Sequence, residues 1–126
     1  MKSIYFFYLI LFVLLMCIGQ ILFKKTAIIL SQAHLSLNIN RVLDTFITLI
    51  KIPYFFSALV VYASATLFWL FILQKVPLSI AYPFTALAMV IIPILSIFLF
   101  QEKLSYNYWI GATLIVTGIF VISLKA

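Results

Sequence analysis

The sequence is short of almost everything that soluble enzymes use for chemistry. Its 126 residues include two acids, Asp44 and Glu102, one histidine, one cysteine and three glycines. So small a set supplies no Ser, His and acid constellation, no paired carboxylates and no glycine-rich phosphate loop. Covalent catalysis, a metal centre and a bound cofactor are therefore not expected. His34 lies in a polar stretch with no obvious partner and reads as ordinary surface. Cys17 lies alone in an apolar run, where it can build neither a disulfide framework nor a metal site; it reads as a small packing residue.

Charge is scarce as a whole. Charged residues make up 8% of the chain, against roughly 25% in soluble domains, while hydrophobic residues make up 67%. That balance excludes a water-soluble fold. The net charge of +6 would suit a nucleic-acid binder only if the basic residues shared one face, and here they sit at the ends of apolar runs, where they flank a membrane. No nucleic-acid partner is expected.

What the chain does have is long apolar runs. Crossing a hydrocarbon core of about 30 Å takes about 20 helical residues, and four such runs are present. The first covers about residues 3–23 and stops at Lys24-Lys25. With Lys2 before it, this segment resembles a signal peptide, but a small-residue cleavage site is missing and Met16 precedes Cys17, so it is expected to stay as a span. Residues 31–40 turn polar and read as a loop outside the bilayer. Over residues 41–50, Val42, Leu43, Phe46, Ile47, Leu49 and Ile50 recur at helical spacing, with Asp44, Thr45 and Thr48 toward the opposite side. Ten residues cannot span, so an amphipathic helix along the interface, ended by Lys51 and Pro53, is one reading. An early extension of span two is the other.

Span two covers about residues 54–73, and Gln74-Lys75-Val76-Pro77 forces a tight hairpin into span three, about 78–100. Pro83 and Pro93 each remove a backbone donor there, which predicts a bent or locally opened helix. A second tight turn, Gln101 to Ser105, leads to span four, about 108–124, with Tyr106, Tyr108 and Trp109 where an interfacial aromatic belt belongs. The expected fold is a single all-α transmembrane domain of four helices. Both termini then share one side with Lys75, while Lys24, Lys25, Arg41, Lys51 and Lys103 share the other. Three basic residues against five favour a cytoplasmic location for the larger group only weakly, and the orientation stays open.

Polar residues inside spans are costly and face a cavity, a partner or the interface. Gln20 lies four residues before Lys24, so both project from one helical face, joining an amide to an ammonium that suits a phosphate. Snorkelling of Lys24 and Lys25 to the headgroups is the alternative. In span three, Ser79, Tyr82, Pro83 and Thr85 lie near the membrane entry, where an irregular helix exposes backbone oxygen, as discontinuous helices do in transporters; a helix merely bent to pack is the alternative. Trp69 either lines a cavity or faces lipid. Gly111 and Gly118, seven residues apart on nearly one face of span four, allow close approach of another helix. Four short spans enclose little volume, so a substrate path is expected to need two protomers.

Three stretches carry a resemblance to the drug/metabolite transporter superfamily: Gly19-Gln20 with Lys24; Trp69-Leu70, Leu73-Gln74 and Val76-Pro77 running on through Ile80-Ala81-Tyr82-Pro83; and Glu102-Lys103-Leu104 with Trp109-Ile110-Gly111-Ala112 and Gly118. Within it, the Gly-Gln...Lys and Leu-Gln-x-Val-Pro-x-x-Ile-Ala-Tyr-Pro patterns look most like the small subunits of the undecaprenyl phosphate-aminoarabinose flippase. That resemblance implies a transport protein or subunit. It would move a polyprenyl-phosphate-linked sugar across the bacterial inner membrane for lipid A or envelope glycan modification, as a homodimer or with a paralogous small subunit. The related small multidrug resistance family has a proton-coupling glutamate in span one, and Met16 stands at its position here. A tryptophan of that family's span three is replaced by Thr85. These departures speak against proton-coupled export of cationic drugs, which remains the rival transport reading; a non-transporting scaffold for a sugar-transferring enzyme is the other rival. Carried onto this chain, the flippase reading gives Lys24, with Lys25, the phosphate, Gln20 and Tyr82 the hydrogen bonds, Trp69 and Thr85 the cavity wall, and Pro83 the bending of span three. Glu102 beside Lys103 reads as fixing the turn or topology.

Overall fold

The computed structural model describes residues 3–32 and 42–124. His34, Arg41, Lys2, Lys125 and most of the polar stretch of residues 31–40 lie outside the described residues, with the expectations that fall on them. The elements are α1 (Ser3–Gln32), α2 (Val42–Lys51), α3 (Pro53–Lys75), α4 (Leu78–Phe84), α5 (Leu87–Phe100) and α6 (Tyr106–Ser123). Among the described residues there is no strand. Among the same residues, four helical stretches are long and apolar enough to cross a membrane: Ser3–Gln32, Pro53–Lys75, Leu78–Phe100 and Tyr106–Ser123. The protein is an all-α membrane protein.

Helix boundaries follow local chemistry. Pro53 opens α3, where its missing N–H costs nothing because the first turn has no intrahelical acceptor for it. At the other end the Val76 N–H bonds the Ile72 carbonyl, and Pro77 starts the next element. The third span is interrupted at Thr85-Ala86, just after Pro83, whereas Pro93 stays inside a continuous α5. Gln101 ends α5 in the left-handed conformation at φ 57°, and the Glu102 N–H reaches back to the Ser96 carbonyl at 3.3 Å. That closing pattern normally uses glycine or asparagine.

Lys24-Lys25 does not end the first helix, which runs on to Gln32. Lysine is a good helix former, and a polar pair limits the apolar stretch without limiting backbone hydrogen bonding. At 30 residues α1 is about 45 Å long, longer than the hydrocarbon layer. In α2, a separate helix set off by Ile52, the residues Val42, Leu43, Phe46, Ile47 and Ile50 are exposed and Thr45 is turned inward.

Packing centres on α1, which lies chiefly along α3 and also touches α4 and α5, while α6 packs on α4 and α5. Leu9, Phe12, Ala65, Ile72, Val76, Ala81, Phe84 and Ile119 form one buried cluster; Val13, Cys17 and Ala88 form another. Gly19 permits a close approach in the α1–α3 seam, since a Cβ there would stand 2.7 Å from the Tyr62 ring, which stacks on Phe23 with centroids 5.0 Å apart. Several threonine and serine hydroxyls within the spans turn back onto their own helices. Thr26, Thr66 and Ser96 donate to the Leu22, Tyr62 and Ile92 carbonyls at 2.9, 2.8 and 3.0 Å, as a medium without water requires. Outward, Phe98, Leu67 and Leu114 are 73%, 71% and 68% exposed, a surface suited to hydrocarbon.

Candidate functional site

The break after Pro83 opens a groove between the α4–α5 joint and the middle of α1. Its volume is about 540 Å³, and it is open along one side. Met16 and Gln20, one turn apart on α1, form one wall. Tyr82, Pro83, Thr85, Ala86, Ala88, Met89, Ile92 and Pro93 form the other. The lining is mainly apolar, with polarity confined to the Gln20 amide, the Tyr82 and Thr85 hydroxyls and nearby backbone. Thr85 donates to the Tyr82 carbonyl at 2.6 Å, which leaves its own oxygen lone pairs free to accept. Neither proline can donate to the carbonyl four residues before it, so those of Ser79 and Met89 lose their usual helical partner.

Gln20, Tyr82, Thr85, Pro83 and Pro93 thus meet around one cleft. Lys24 stands one turn beyond Gln20, about 6 Å along α1, outside the lining. Its Nζ lies 3.8 Å from Glu102 Oε1, with both side chains about half exposed (50% and 45%). Lys25 points elsewhere: its Nζ sits over the Tyr54 ring at 5.3 Å from the centroid, tying α1 to the start of α3 by a cation–π contact. Trp69 is a packing residue in this arrangement, stacked on Phe12 with centroids 4.7 Å apart. Gly111 and Gly118 face open space, with nothing among the described residues within 4 Å of a Cβ placed at either.

The remaining lining residues repeat at helical spacing in the sequence: Met16 with Gln20, and Tyr82 with Thr85, Ala86, Met89, Ile92 and Pro93. Spacing alone does not tell a cavity stripe from a core stripe, so the sequence does not mark Met89 and Ile92 as wall residues. The approach of Glu102 to Lys24 joins residues 78 positions apart, and no local signal announces it. Among the described residues no three His, Cys, Asp or Glu side chains converge to hold a metal ion. The cleft has no charged side chain in its lining, and Lys24, one turn beyond Gln20 on α1, is paired with Glu102. Such a site can seat a flexible apolar body and hydrogen-bond a polar head, with an ammonium one turn away along α1.

Many transporters place their substrate site at the break of a discontinuous helix. Residues 3–124 match the family described as "EamA-like transporter family". The chain belongs to that family. Among its relatives is a protein of Aeromonas salmonicida (strain A449), 34% identical over 110 residues that cover 87% of this chain and 89% of the relative. Another, from Proteus mirabilis (strain HI4320), is 31% identical over 121 residues, covering 96% and 98%. A third, from Photorhabdus laumondii subsp. laumondii, is 31% identical over 117 residues, covering 93% and 94%. All three bear the name "Probable 4-amino-4-deoxy-L-arabinose-phosphoundecaprenol flippase subunit ArnE". No solved structure matches the chain.

Proposed function

We propose that this EamA-like protein is a subunit of a flippase that carries a polyprenyl-phosphate-linked aminosugar of the 4-amino-4-deoxy-L-arabinose type across the bacterial inner membrane, without covalent chemistry of its own. The carrying observation is the composition of the cleft, with Lys24 one turn beyond it on α1. A groove with an apolar lining, open along one side, accepts a lipid-linked head while the chain of the lipid stays in the bilayer. Gln20, Tyr82 and Thr85 offer hydrogen bonds to sugar hydroxyls, and Lys24 offers an ammonium to the phosphate. A cationic drug finds no such welcome: Met16, at the position where the small multidrug resistance family has its glutamate, lines the groove as an uncharged thioether.

The same reading gives other elements their parts. The interruption at Thr85-Ala86 supplies flexibility for alternate opening of the cleft, with Pro93 a second soft point in the same span. The apolar arc of α2 dips into the acyl region while Asp44 and Lys51 stay at headgroup level. The open side of the groove and the bare glycine face of α6 call for a second subunit, either a copy of this chain or a paralogous small subunit.

The test is native mass spectrometry of the protein gently released from its own membrane. A polyprenyl-phosphate lipid is expected on wild type, reduced about tenfold or more in Lys24→Ala, since a charged hydrogen bond contributes roughly 1.5–3 kcal/mol. Lys24→Arg should retain much of it. Wild type that carries no such lipid and binds quaternary ammonium compounds instead would end the flippase reading in favour of the exporter. Lipid that is retained equally in Lys24→Ala would remove the phosphate from Lys24.

A further inference from the structure

The turn between α5 and α6 carries Glu102, the acid that faces Lys24. We infer that Glu102 is a substrate-binding residue that receives the ammonium of the aminosugar, and that the Lys24–Glu102 pair is the internal stand-in for a head bearing one negative and one positive charge. The inference rests on the flippase reading and deepens it.

Three observations carry it. First, this is the one salt bridge among the described residues, and it joins the site helix α1 to the turn after α5 at 3.8 Å. Second, Glu102 is held in place by its backbone: the left-handed Gln101 and the Glu102 N–H bond to the Ser96 carbonyl fix where its side chain starts. Third, both side chains are about half exposed. A pair so exposed is weak and exchanges easily, so its geometry does not commit Lys24 to a structural duty.

Charge balance then selects the ligand. A lipid phosphate with a neutral sugar that drew Lys24 away from Glu102 would leave a carboxylate unpaired beside the incoming anion. A phosphate diester whose sugar bears a free amine presents both signs, one sugar ring apart. Exchange gives Lys24 the phosphate and Glu102 the ammonium, so one internal pair becomes two intermolecular pairs and the local net charge does not change. The long, mobile side chains of lysine and glutamate can open to admit the ring. The carboxylate thereby reads the amine, and the groove, whose Gln20 lies one turn from Lys24, reads the hydroxyls with Gln20 and Tyr82.

The experiment compares two lipids in nanodiscs holding the protein in the oligomeric form in which it is extracted. One is a polyprenyl phosphate linked to a 4-amino-4-deoxypentose; the other is its N-acetyl counterpart, identical except that the amine is neutral. Native mass spectrometry reads their relative occupancy. Wild type should prefer the free amine by about tenfold, the value of one charge-assisted contact. In Glu102→Gln the preference should fall to about one, with the N-acetyl lipid bound at least as well as by wild type. Glu102→Asp, which keeps the charge, should restore part of the preference. Equal affinity of wild type for the two lipids, an unchanged preference in Glu102→Gln, or equal loss of both lipids in that variant would overturn the assignment of Glu102 alone. Binding of neither lipid by wild type would overturn the flippase reading as well.

Discussion

At the residue scale, Gly19 and the span-four glycines make a controlled comparison. The Gly19 position faces the Tyr62 ring, and that ring is braced by Phe23 and leaves its hydroxyl buried without a partner. Gly19→Ala must push the ring against its brace, which is overpacking and costs about 1–3 kcal/mol. Thermal unfolding in detergent, followed by tyrosine and tryptophan fluorescence, should show a lowered midpoint for Gly19→Ala. Gly111→Ala, with no atom of the described residues within 4 Å of the new methyl, should leave the midpoint of the isolated protomer unchanged or slightly raised, since alanine favours a helix over glycine. Equal midpoints for the two variants would mean that the α1–α3 seam can absorb a methyl at no cost. A small residue beside Gln20 is thus a packing requirement, and through packing it fixes the face of α1 that meets the groove.

At the scale of elements, the third span shows what was legible and what was not. Pro83 announces a defect because a missing N–H is a local fact, and the break follows within two residues. Pro93 has the same local chemistry, yet α5 stays continuous through it, since neighbouring packing decides whether a lost bond becomes a break. The reach of α1 beyond Lys25 was hidden for a related reason: hydropathy marks where lipid ends, and helix hydrogen bonding does not depend on it. The meeting of Lys24 with Glu102 needed the tertiary arrangement of two distant elements. These differences lead to a prediction for Pro83→Ala. An N–H restored at residue 83 can bond the Ser79 carbonyl and favours a continuous helix across Thr85-Ala86. Lipid occupancy should persist while the rate of flipping in proteoliposomes containing the complete transporter falls severalfold, because the joint no longer yields. Pro93→Ala should change the rate less. Loss of occupancy in Pro83→Ala would mean instead that the open backbone binds the head directly.

For the molecule as a whole, the question is what completes the groove. One protomer leaves it open along a side, and α6 presents an unpartnered face: Ile110, Leu114 and Val121 are exposed around Gly111 and Gly118, with Thr117 beside them. In lipid there is no hydrophobic drive to cover such a face, since hydrocarbon tails cover it as well as a helix does; association relies on close backbone approach and packing. Small residues on an otherwise bulky surface are what that mechanism needs, and the near-alignment of Gly111 with Gly118 continues the depression for two turns. Replacing both with leucine should therefore fill the depression without disturbing the protomer, because no atom of the described residues lies within 4 Å of a Cβ at either position. The double variant should keep its helical circular dichroism and thermal midpoint while native mass spectrometry in nanodiscs shows oligomers giving way to single protomers. Lipid occupancy should decline in step if the second subunit closes the groove. Persistence of the oligomer would move the contact off α6, and a dissociated protein that still holds its lipid would mean that one protomer suffices for binding.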